Sequence, residues 1–578
     1  MTRLFNVPTA FADEMIEGFV AANRRHVRAV PGGVVRSTRS EQGTVAIVIG
    51  GGSGHYPAFG GLVGTGLADG AAMGNVFASP SAHQVHSVAA AAEHGGGVLL
   101  SYGNYAGDVL NFDAAQEQLR AEGVDVRTVV VTDDVSSAPA SERQNRRGIA
   151  GDLVVFKVTG AAAAAGYSLD EVERVGRLAN ERTRSFGVAF SGCTLPGAAA
   201  PLFTVPAGRM AVGLGIHGEP GVGETAVPTA DELAGLFVDT LLAELPEGLA
   251  SASGQRAVAI LNGLGSVKYE ELFVVYRRVS ALLEQAGVEV VEPEVGEFCT
   301  SFDMAGASLT LTWLDDELER LWRAPADTPA FRKGTVVAGE QVDDAELPVS
   351  STEAAVIPPA SAVSREAAVT AFRALDALSA TIDAHVDELG RLDAVAGDGD
   401  HGIGMQRGAH AGVAAAHLAL IGGAGAGTLL ELAGDAWADR AGGTSGALWG
   451  LALRALGERL GDELPPDGLA VADGVEASLA AITRYGKAEV GDKTMVDALV
   501  PFIVTLRREV AGTPLAAAWR SAATAATAAA AATADIPARR GRAKTHGDAS
   551  LGTPDAGAVS FALIVTAISD PLSEGTSA

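Results

Sequence analysis

Residues 45–57 read VAIVIGGGSGHYP, an apolar run that passes without a break into a glycine-rich loop. Five consecutive apolar residues bounded by glycine are typical of a buried strand. The glycines let backbone N–H groups approach a small polar ligand, and His55 stands at the rim of the loop. A flexible loop with a surface histidine has the same spacing, so the motif alone leaves both interpretations open.

Short apolar runs of this kind recur through about the first 315 residues and alternate with helical stretches, at 98–100, 126–132, 153–158, 188–190, 257–261, 288–291 and 308–313. The alternation predicts an α/β architecture with mostly parallel sheets. We divide it into two subdomains, about 1–185 and 186–325. Because ligands bind at the carboxyl ends of parallel strands, the loops that follow these runs are where a site is expected.

The sequence changes character after residue 325. Prolines punctuate a stretch rich in Ser, Ala and Glu, which predicts a linker over 326–364. Beyond it, alanine-rich windows with apolar residues at three- and four-residue spacing predict an all-α domain over 365–578. The chain thus joins an α/β unit, 1–325, to a helical unit.

Charge and cysteine content limit the partners and the location. Lys plus Arg number 42 against 70 Asp plus Glu, and the formal charge of −28 repels nucleic acids and anionic membranes. We therefore expect neither as a partner. Cys193 and Cys299 form no disulfide framework, the N-terminus resembles no secretory signal, and the alanine-rich run 521–534 is too short to span a bilayer. These features predict a soluble, cytoplasmic protein.

Two further loops of the first half carry chemistry-bearing side chains. Asp108 follows a predicted strand and can accept a proton, although a helix cap explains a lone aspartate there equally well. The segment 213–221, GLGIHGEPG, formally matches GxGxxG, but Pro220 opposes a helix at that point, so we reject a dinucleotide site. His217 remains a candidate nucleophile, acid–base group or plain loop residue.

The helical half contains LDAVAGDGDHG at 392–402, with three aspartates within eight residues. Glycines between them permit sharp turns, and carboxylate oxygens suit Mg²⁺, although a solvated acidic turn is the alternative. The segment GGTSG at 442–446 offers free N–H groups at a helix start. Neither a P-loop nor the motifs of protein kinases occur, so a nucleotide site here has another design.

Together these motifs resemble the dihydroxyacetone kinase family in its single-chain, ATP-dependent form. GGGSGH at 50–55, NYxGDxxNFD at 104–113, GxHGEPG at 215–221 and GEFxTSxxMAG at 296–306 look like its ketose-binding part. The nucleotide-binding part is matched by 392–402, 442–446, VGDKTMxDAL at 490–499 and GRA at 541–543. Several motifs in the right order over nearly the whole chain make the resemblance specific.

The resemblance implies ATP-dependent phosphorylation of a short ketose at a terminal hydroxyl. It implies that His217 holds the substrate carbonyl as a covalent hemiaminal. It implies Asp108 as the base and His55 as an orienting or proton-transferring partner. With these two residues, Gly52, Ser53 and Gly54 line the substrate.

For the second half, the resemblance implies an eight-helix barrel that binds ATP and two Mg²⁺ ions, and a homodimeric protein. The metal ligands are then Asp393, Asp398 and Asp400. The residues implied to surround the nucleotide are His401, Gly402, Ile403, Gly404, Thr444, Ser445, Gly486, Met495, Arg542, Asp555, Ala556 and Gly557.

Some positions depart from the family pattern. Tyr56 stands where a glutamate is usual, Gly103 where a lysine is usual, and Met73 where a cysteine is usual. Losing charges beside the substrate loop changes the polarity of the pocket and favours a four-carbon ketose such as erythrulose. Three alternatives stay open: an FAD-AMP lyase (cyclising) side activity, a phosphoenolpyruvate-dependent ketose phosphotransferase, and a non-catalytic ketose sensor.

Overall fold

A computed structural model describes residues 4–337, 339–342, 357–397, 399–540 and 550–574. The chain divides into two compact units, 1–350 and 351–578. We call the first the ketose unit, after the substrate that the resemblance implies, and the second the helical unit.

The first sheet of the ketose unit has six strands in the order β1-β2-β4-β3-β5-β6. The pairs β4–β3, β3–β5 and β5–β6 are parallel, and β1–β2 and β2–β4 are antiparallel. The strand bounds are Val27–Val30 (β1), Gly33–Arg36 (β2), Ala46–Ser53 (β3), Gly70–Val76 (β4), Val98–Gly103 (β5) and Val126–Val131 (β6).

Helices cover both faces of this sheet, which explains the uninterrupted apolar run in β3. Ala46 and Val48 face one hydrophobic cluster, with helices Ala82–Ala92 (α2) and Ala106–Ala121 (α3). Ile47 and Ile49 face another, with helices Asp152–Ala164 (α4) and Leu169–Glu181 (α5). Successive side chains of a strand point to opposite faces, so burial on both sides requires every residue to be apolar.

The second sheet corrects the prediction of mostly parallel sheets. Its order is β11-β10-β13-β7-β8-β9, with β12 beside β10, and only β10–β11 and β10–β12 are parallel. The last long strand, β13, lies between β10 and β7 and runs against both. The bounds are Thr183–Ala189 (β7), Arg209–Val212 (β8), Gly223–Ala226 (β9), Arg256–Gly263 (β10), Glu289–Val290 (β11), Glu294–Gly296 (β12) and Gly306–Leu314 (β13).

Two other sequence predictions for this unit were wrong. The apolar run 153–158, predicted as a strand, is the first half of α4, whose first twelve residues are all buried. A short apolar run does not distinguish a strand from a helix that is buried on every side. A subdomain boundary at 185 would cut β7 in the middle, because β7 belongs wholly to the second sheet.

The predicted linker begins too early. The strands Ala326–Asp327 (β14) and Arg332–Lys333 (β15) pair with each other, and bridges join Asp327 to Thr65 and Gln341 to Thr38. Residues 326–342 that the structure describes therefore complete the ketose unit. The remaining helices of this unit are Phe11–Ala22 (α1), Ala230–Leu242 (α6), Tyr269–Gln285 (α7) and Asp316–Arg323 (α8).

The helical unit contains only helices within its described residues, as predicted. Each helix from α9 to α16 contacts the next along the chain, and α16 also contacts α9. The bounds are Ala362–Asp393 (α9), His401–Ile421 (α10), Ala426–Ala441 (α11), Gly443–Leu460 (α12), Gly468–Gly486 (α13), Met495–Val510 (α14), Leu515–Ala532 (α15), Ala556–Ala567 (α16) and Ser569–Glu574 (α17).

One stretch, Ala556–Ser573, is long and apolar enough to cross a membrane by length and composition. In this fold it supplies core residues of the helical unit. Phe561 packs edge-to-face on Phe502 with ring centroids 5.6 Å apart, and Ile564 and Val565 are buried in the same cluster. The apolar composition of this stretch is therefore explained by its packing against neighbouring helices.

Candidate active site

The candidate residues of the ketose unit lie where the parallel strands of the first sheet end. The carboxyl ends of β3, β4 and β5 share one edge of the sheet. His55 follows β3, Phe77 follows β4, and Asp108 lies in the first turn of α3, just after β5. His55 and Asp108 are both buried.

The glycines of the opening motif are required by close backbone packing. A Cβ atom on Gly52 would lie 2.8 Å from the backbone nitrogen of Ala78, and Gly54 has a φ of 100°, which favours glycine. Ser53 is buried, and its hydroxyl donates to the carbonyl of Gly74 at 2.6 Å. The motif therefore fixes the backbone path that presents His55.

The structure brings His55 and His217 together from loops 162 residues apart. Their Nε2 atoms are 3.0 Å apart in hydrogen-bond geometry. Phe77 stacks on the His55 ring at 5.0 Å between centroids, and Tyr105 meets the His217 ring edge-to-face at 4.6 Å. Both histidines are buried, and His217 comes from the loop between β8 and β9. Aromatic rings thus flank both histidines.

Sequence reasoning missed the charged residues behind His217. The Glu219 carboxylate lies 3.0 Å from His217 Nδ1 and also accepts the backbone N–H of His217 at 3.1 Å. The guanidinium of Arg147 is 3.9 Å from Glu219 and 2.8 Å from Asp134. A carboxylate two residues after the histidine, inside a glycine-dense loop, is the sequence signal that could have indicated this contact.

Two other buried carboxyl groups belong to the same part of the ketose unit as Asp108. Burial, and then the charges of Asp133 and Asp108, raise the pKa of Asp152 well above its usual range. Burial raises the pKa of Asp133 to about 6, although Ser185 and two backbone N–H groups stabilise its charged form. The charge of Asp108 thus acts on a buried neighbouring carboxyl group.

In the helical unit, four helices present their N-termini at one place. His401 begins α10, and its ring nitrogens contact the hydroxyl of Ser445 in the first turn of α12 at 3.2 Å and that of Ser560 in α16 at 2.9 Å. A Cβ atom on Gly557 in α16 would lie 3.6 Å from the Cβ of Met495, which begins α14. Converging N–H groups and helix dipoles favour an anion at this end.

Acidic side chains share this end of the unit. Asp393 ends α9, and Asp400 precedes α10. Burial together with the Asp393 charge raises the pKa of Asp400 to about 7. Burial, followed by the charges of Asp393 and Asp497, raises that of Asp555 to about 7. These carboxylates repel one another, and oxygen ligands of this kind are what Mg²⁺ prefers, so the side chains present fit a divalent cation.

The described residues include no group of three or more acidic, His or Cys side chains placed to hold a metal ion. Asp398, the middle predicted ligand, and Arg542, a predicted nucleotide contact, lie outside the described residues. The other predicted nucleotide contacts are found at helix ends. Gly402, Ile403 and Gly404 lie in the first turn of α10, Thr444 in that of α12 and Ala556 in that of α16, while Gly486 ends α13.

Lys493 was not predicted as a site residue. It is buried with a φ of 63°, and its ammonium donates to the carbonyls of Ser550 and Thr553, both at 2.7 Å. Burial lowers its pKa, while the charge of Asp555 opposes that shift. Lys493 therefore secures the loop that leads into Asp555 and α16.

Comparison with known proteins agrees with this geometry. Residues 17–330 match the Dak1 domain and 395–570 the DAK2 domain. The chain is 60% identical to the L-erythrulose kinase of Pectobacterium atrosepticum over 100% of this chain and 97% of that protein. It is 53% identical to the D-erythrulose kinase of Mycolicibacterium smegmatis over 99% of this chain and 98% of that protein.

Among solved structures, the dihydroxyacetone kinase from C. freundii in complex with AMP-PNP and Mg²⁺ is similar with a TM-score of 0.52 and 30% identity. The alignment covers 98% of this chain and 99% of that one. One assignment follows from the two matched domains, from the full-length relatives and from the full-length structural neighbour. The chain belongs to the dihydroxyacetone kinase family and carries both of its domains in a single polypeptide.

Proposed function

We propose that this ATP-dependent ketose kinase phosphorylates a four-carbon ketose, erythrulose, at a terminal hydroxyl. The observation that carries the proposal is the 60% identity over the whole chain to an L-erythrulose kinase, against 30% to the dihydroxyacetone kinase. A relative named for the opposite enantiomer is 53% identical. Overall identity thus supports the substrate class and leaves the enantiomer to measurement.

The two positions at which charged residues are usual in the family, Tyr56 and Gly103, have uncharged surroundings. At Gly103, a Cβ atom would lie 3.2 Å from the carbonyl oxygen of Gly148 and 3.3 Å from the ring of Tyr105. The Tyr105 ring therefore takes the space beside this position and packs on His217. Tyr56 turns its ring to Phe19, at 6.0 Å between centroids. Neither departure places a charge beside the histidine pair.

The test is a comparison of kcat/KM for D-erythrulose, L-erythrulose and dihydroxyacetone with ATP as the only phosphoryl donor. We expect one erythrulose enantiomer to exceed dihydroxyacetone in kcat/KM by about tenfold or more, the lower end of the discrimination that one extra carbon supplies. A preference for dihydroxyacetone would overturn the substrate proposal. Activity without phosphoenolpyruvate or carrier proteins separates the kinase from the phosphotransferase and from a sensor, and glycerol serves as the negative control.

We further propose that His217 Nε2 adds to the substrate carbonyl to form a hemiaminal. Support comes from the buried, aromatic surroundings of His217 and from Glu219 at its other ring nitrogen. Asp108 then accepts the proton of the terminal hydroxyl. Intact-protein mass spectrometry with the ketose should show one substrate-sized adduct, absent from His217→Ala. An adduct that persists in His217→Ala would refute the assignment, and Glu247→Gln, at an exposed site, is the control.

In the helical unit, Asp393, Asp400 and, by the family pattern, Asp398 would hold Mg²⁺, for which two ions are proposed. When bound, the cations neutralise phosphate charge, which is the main chemical requirement of phosphoryl transfer. The N-termini of α10, α12 and α16 would hold the phosphates by backbone N–H groups. The chain's own contribution is to position and to neutralise, rather than to form a covalent bond with phosphorus.

We also propose that α9 to α16 close into an eight-helix barrel, which the contact between α16 and α9 supports.

A homodimer is proposed for the whole chain. Strand β9 ends the second sheet, all four of its residues are exposed, and Val222 and Val227 beside it are exposed too. An edge strand of this kind pairs readily with another copy. Light scattering of wild type and of Glu224→Pro tests this, because the Glu224–Ala211 pair alternates with the hydrogen-bonded pair of Val227 and Gly208 and so directs the Glu224 N–H outward. A Glu224→Pro chain that remains a dimer would exclude β9.

The proposed location is the cytoplasm. Both cysteines, Cys193 and Cys299, are buried and free, which suits a reducing compartment. Fractionation of expressing cells tests this proposal.

A further inference from the structure

Four groups of the ketose unit form one continuous line of hydrogen bonds. The carbonyl of Thr300 is 2.7 Å from His55 Nδ1, and His55 Nε2 is 3.0 Å from His217 Nε2. His217 Nδ1 is in turn 3.0 Å from the carboxylate of Glu219. All four residues are buried, so these contacts fix where protons lie.

The protons along this line can be counted from the chemistry of its ends. A backbone carbonyl only accepts, so His55 Nδ1 carries a hydrogen. An ionised carboxylate also only accepts, so His217 Nδ1 carries a hydrogen as well. The hydrogen bond between the two Nε2 atoms needs one more proton. Three protons on two imidazole rings amount to one positive charge, because two neutral rings hold two protons.

The charge of Glu219 balances this cation. Arg147 lies 3.9 Å from Glu219 and favours its ionised form, and the backbone N–H of His217 donates to the same carboxylate. Arg147 is itself held by Asp134 at 2.8 Å. The Tyr105 ring packs on His217, and burial, with Glu219's charge as the second cause, raises its pKa well above the usual range. Tyr105 therefore stays a neutral phenol and supplies no competing charge.

We infer that Glu219 is a positioning residue for the reaction, one that keeps Nδ1 of His217 protonated and so makes His55 and His217 share a single proton in the resting protein. The role in catalysis rests on the proposed function. The carbonyl carbon of the ketose bonds to His217 Nε2, and the shared proton leaves on His55 Nε2 and moves to the carbonyl oxygen. His55 ends neutral, and the substituted His217 ring keeps one positive charge opposite Glu219, so atoms and charge balance.

In the resting site, the His55 contact blocks the nitrogen that reacts. The lone pair of His217 Nε2 that must attack carbon is the one directed at His55. Substrate and the His55 contact therefore compete for the same position, and the nucleophile is masked until a ketose enters. Glu219 lowers the cost of opening the pair because its charge stabilises the cation that remains on His217.

The experiment uses the full chain without ketose or nucleotide, with ¹⁵N-labelled histidine. His55→Gln and His217→Gln variants assign the ring signals. In wild type, we expect Nδ1 of both rings to be protonated at pH 7 and one further proton to be shared between the Nε2 atoms. A neutral pair, with two protons in total, would overturn the inference from wild type alone. Since no substrate is present, failure here is distinct from failure of the substrate proposal.

Glu219→Gln provides the second arm. Loss of the charge should lower the pH at which the pair gives up its shared proton by about one unit or more, the effect of one close opposite charge. The adduct fraction with ketose should fall and KM rise by about tenfold, with a smaller change in kcat. Glu219→Asp should restore part of both effects, and Glu247→Gln should cause neither. A titration midpoint unchanged in Glu219→Gln would refute the role, whatever happens to activity.

Discussion

The candidate sites of the two units are built on opposite electrostatic principles. In the ketose unit, His55 and His217 hold each other and are held by Thr300 and Glu219, so opposite charges and hydrogen bonds already satisfy the site. In the helical unit, Asp393 and Asp400 repel each other, and the pKa of Asp400 is raised to about 7. The polar groups of the first site already satisfy one another, whereas the second site concentrates negative charge, as the proposed Mg²⁺ site requires.

The largest effect should come from the base of the ketose unit. Asp108→Asn removes the proton acceptor while keeping the size and the first-turn position in α3. We expect kcat to fall by roughly 10²–10⁴, the usual contribution of a positioned acid–base group, with little change in melting temperature. Steady-state kinetics with ATP and the preferred ketose measure this effect.

The matched control is Asp113→Asn, which changes an exposed aspartate of the same helix. Its kcat should stay near that of wild type. A near-normal kcat in Asp108→Asn would refute the role of this aspartate as the base; capping does not explain it, because Tyr105 is the N-cap of α3.

The helical unit should respond to the loss of a carboxylate in two opposite ways. Asp400→Asn removes a ligand, so half-saturating Mg²⁺ should rise by at least about 10–100-fold. The same substitution relieves repulsion with Asp393, so the metal-free chain should melt at a higher temperature than wild type. Activity against Mg²⁺ concentration and calorimetry in a chelator measure the two effects.

Asp376→Asn, at an exposed site on α9, is the control for both measurements. If Asp400→Asn left the Mg²⁺ requirement unchanged, or destabilised the metal-free chain, the proposed contrast between the two units would fail. A substitution that weakens activity while stabilising the apo protein distinguishes a ligand cage from a structural acidic turn.

How far the sequence predicted this molecule depended on the range of the contacts involved. The helical windows of the second half were right, because their three- and four-residue spacing is a local property. The direction of the second sheet was wrong, because β13 pairs with β7 across more than 100 residues and nothing local encodes that choice. The run 153–158 was wrong because burial on all sides erased the periodicity that marks a helix.

The same division applies to the sites. His55, Asp108 and His217 could be predicted as site residues because each stands in a short motif that contains glycine. Thr300 lies in the quoted motif 296–306, but its contact with His55, 245 residues away, depends on tertiary packing. Arg147 was missed because it reaches this site only through Glu219. The convergence of helix N-termini in the second unit likewise depends on how whole helices pack, although each glycine-rich start is visible in the sequence.

The smallest predicted effect concerns a buried charge for which neither proposed site has a use. Lys157 in α4 is fully buried, and its ammonium donates to the carbonyl of Leu321 at 2.9 Å. Burial, assisted by the charge of Lys333, lowers its pKa to about 7. In the unfolded chain a lysine has a pKa of about 10.4. Between these values the unfolded chain binds more protons than the folded one.

The free energy of unfolding should therefore rise with pH from about 7 to about 10. It is lowest below pH 7, where Lys157 is charged in the folded and in the unfolded chain. Lys157→Met removes this dependence and fills the same space. We expect it to exceed wild type at pH 6 by about 1–2 kcal/mol, or roughly 2–6 °C in Tm, and to lose the advantage by pH 9.5.

Calorimetry of the ketose-unit transition at pH 6, 8 and 9.5 measures this difference, with Lys268→Met, at an exposed site, as the control. A difference between Lys157→Met and wild type that stays constant with pH would mean that the lysine acts only by packing. A difference that shrinks as the pH rises would show that the ketose unit also buries an unfavourable charge. This charge lies away from the histidine pair, and no bound cation is proposed for it. The electrostatic contrast between the two units therefore concerns their candidate sites and not their cores.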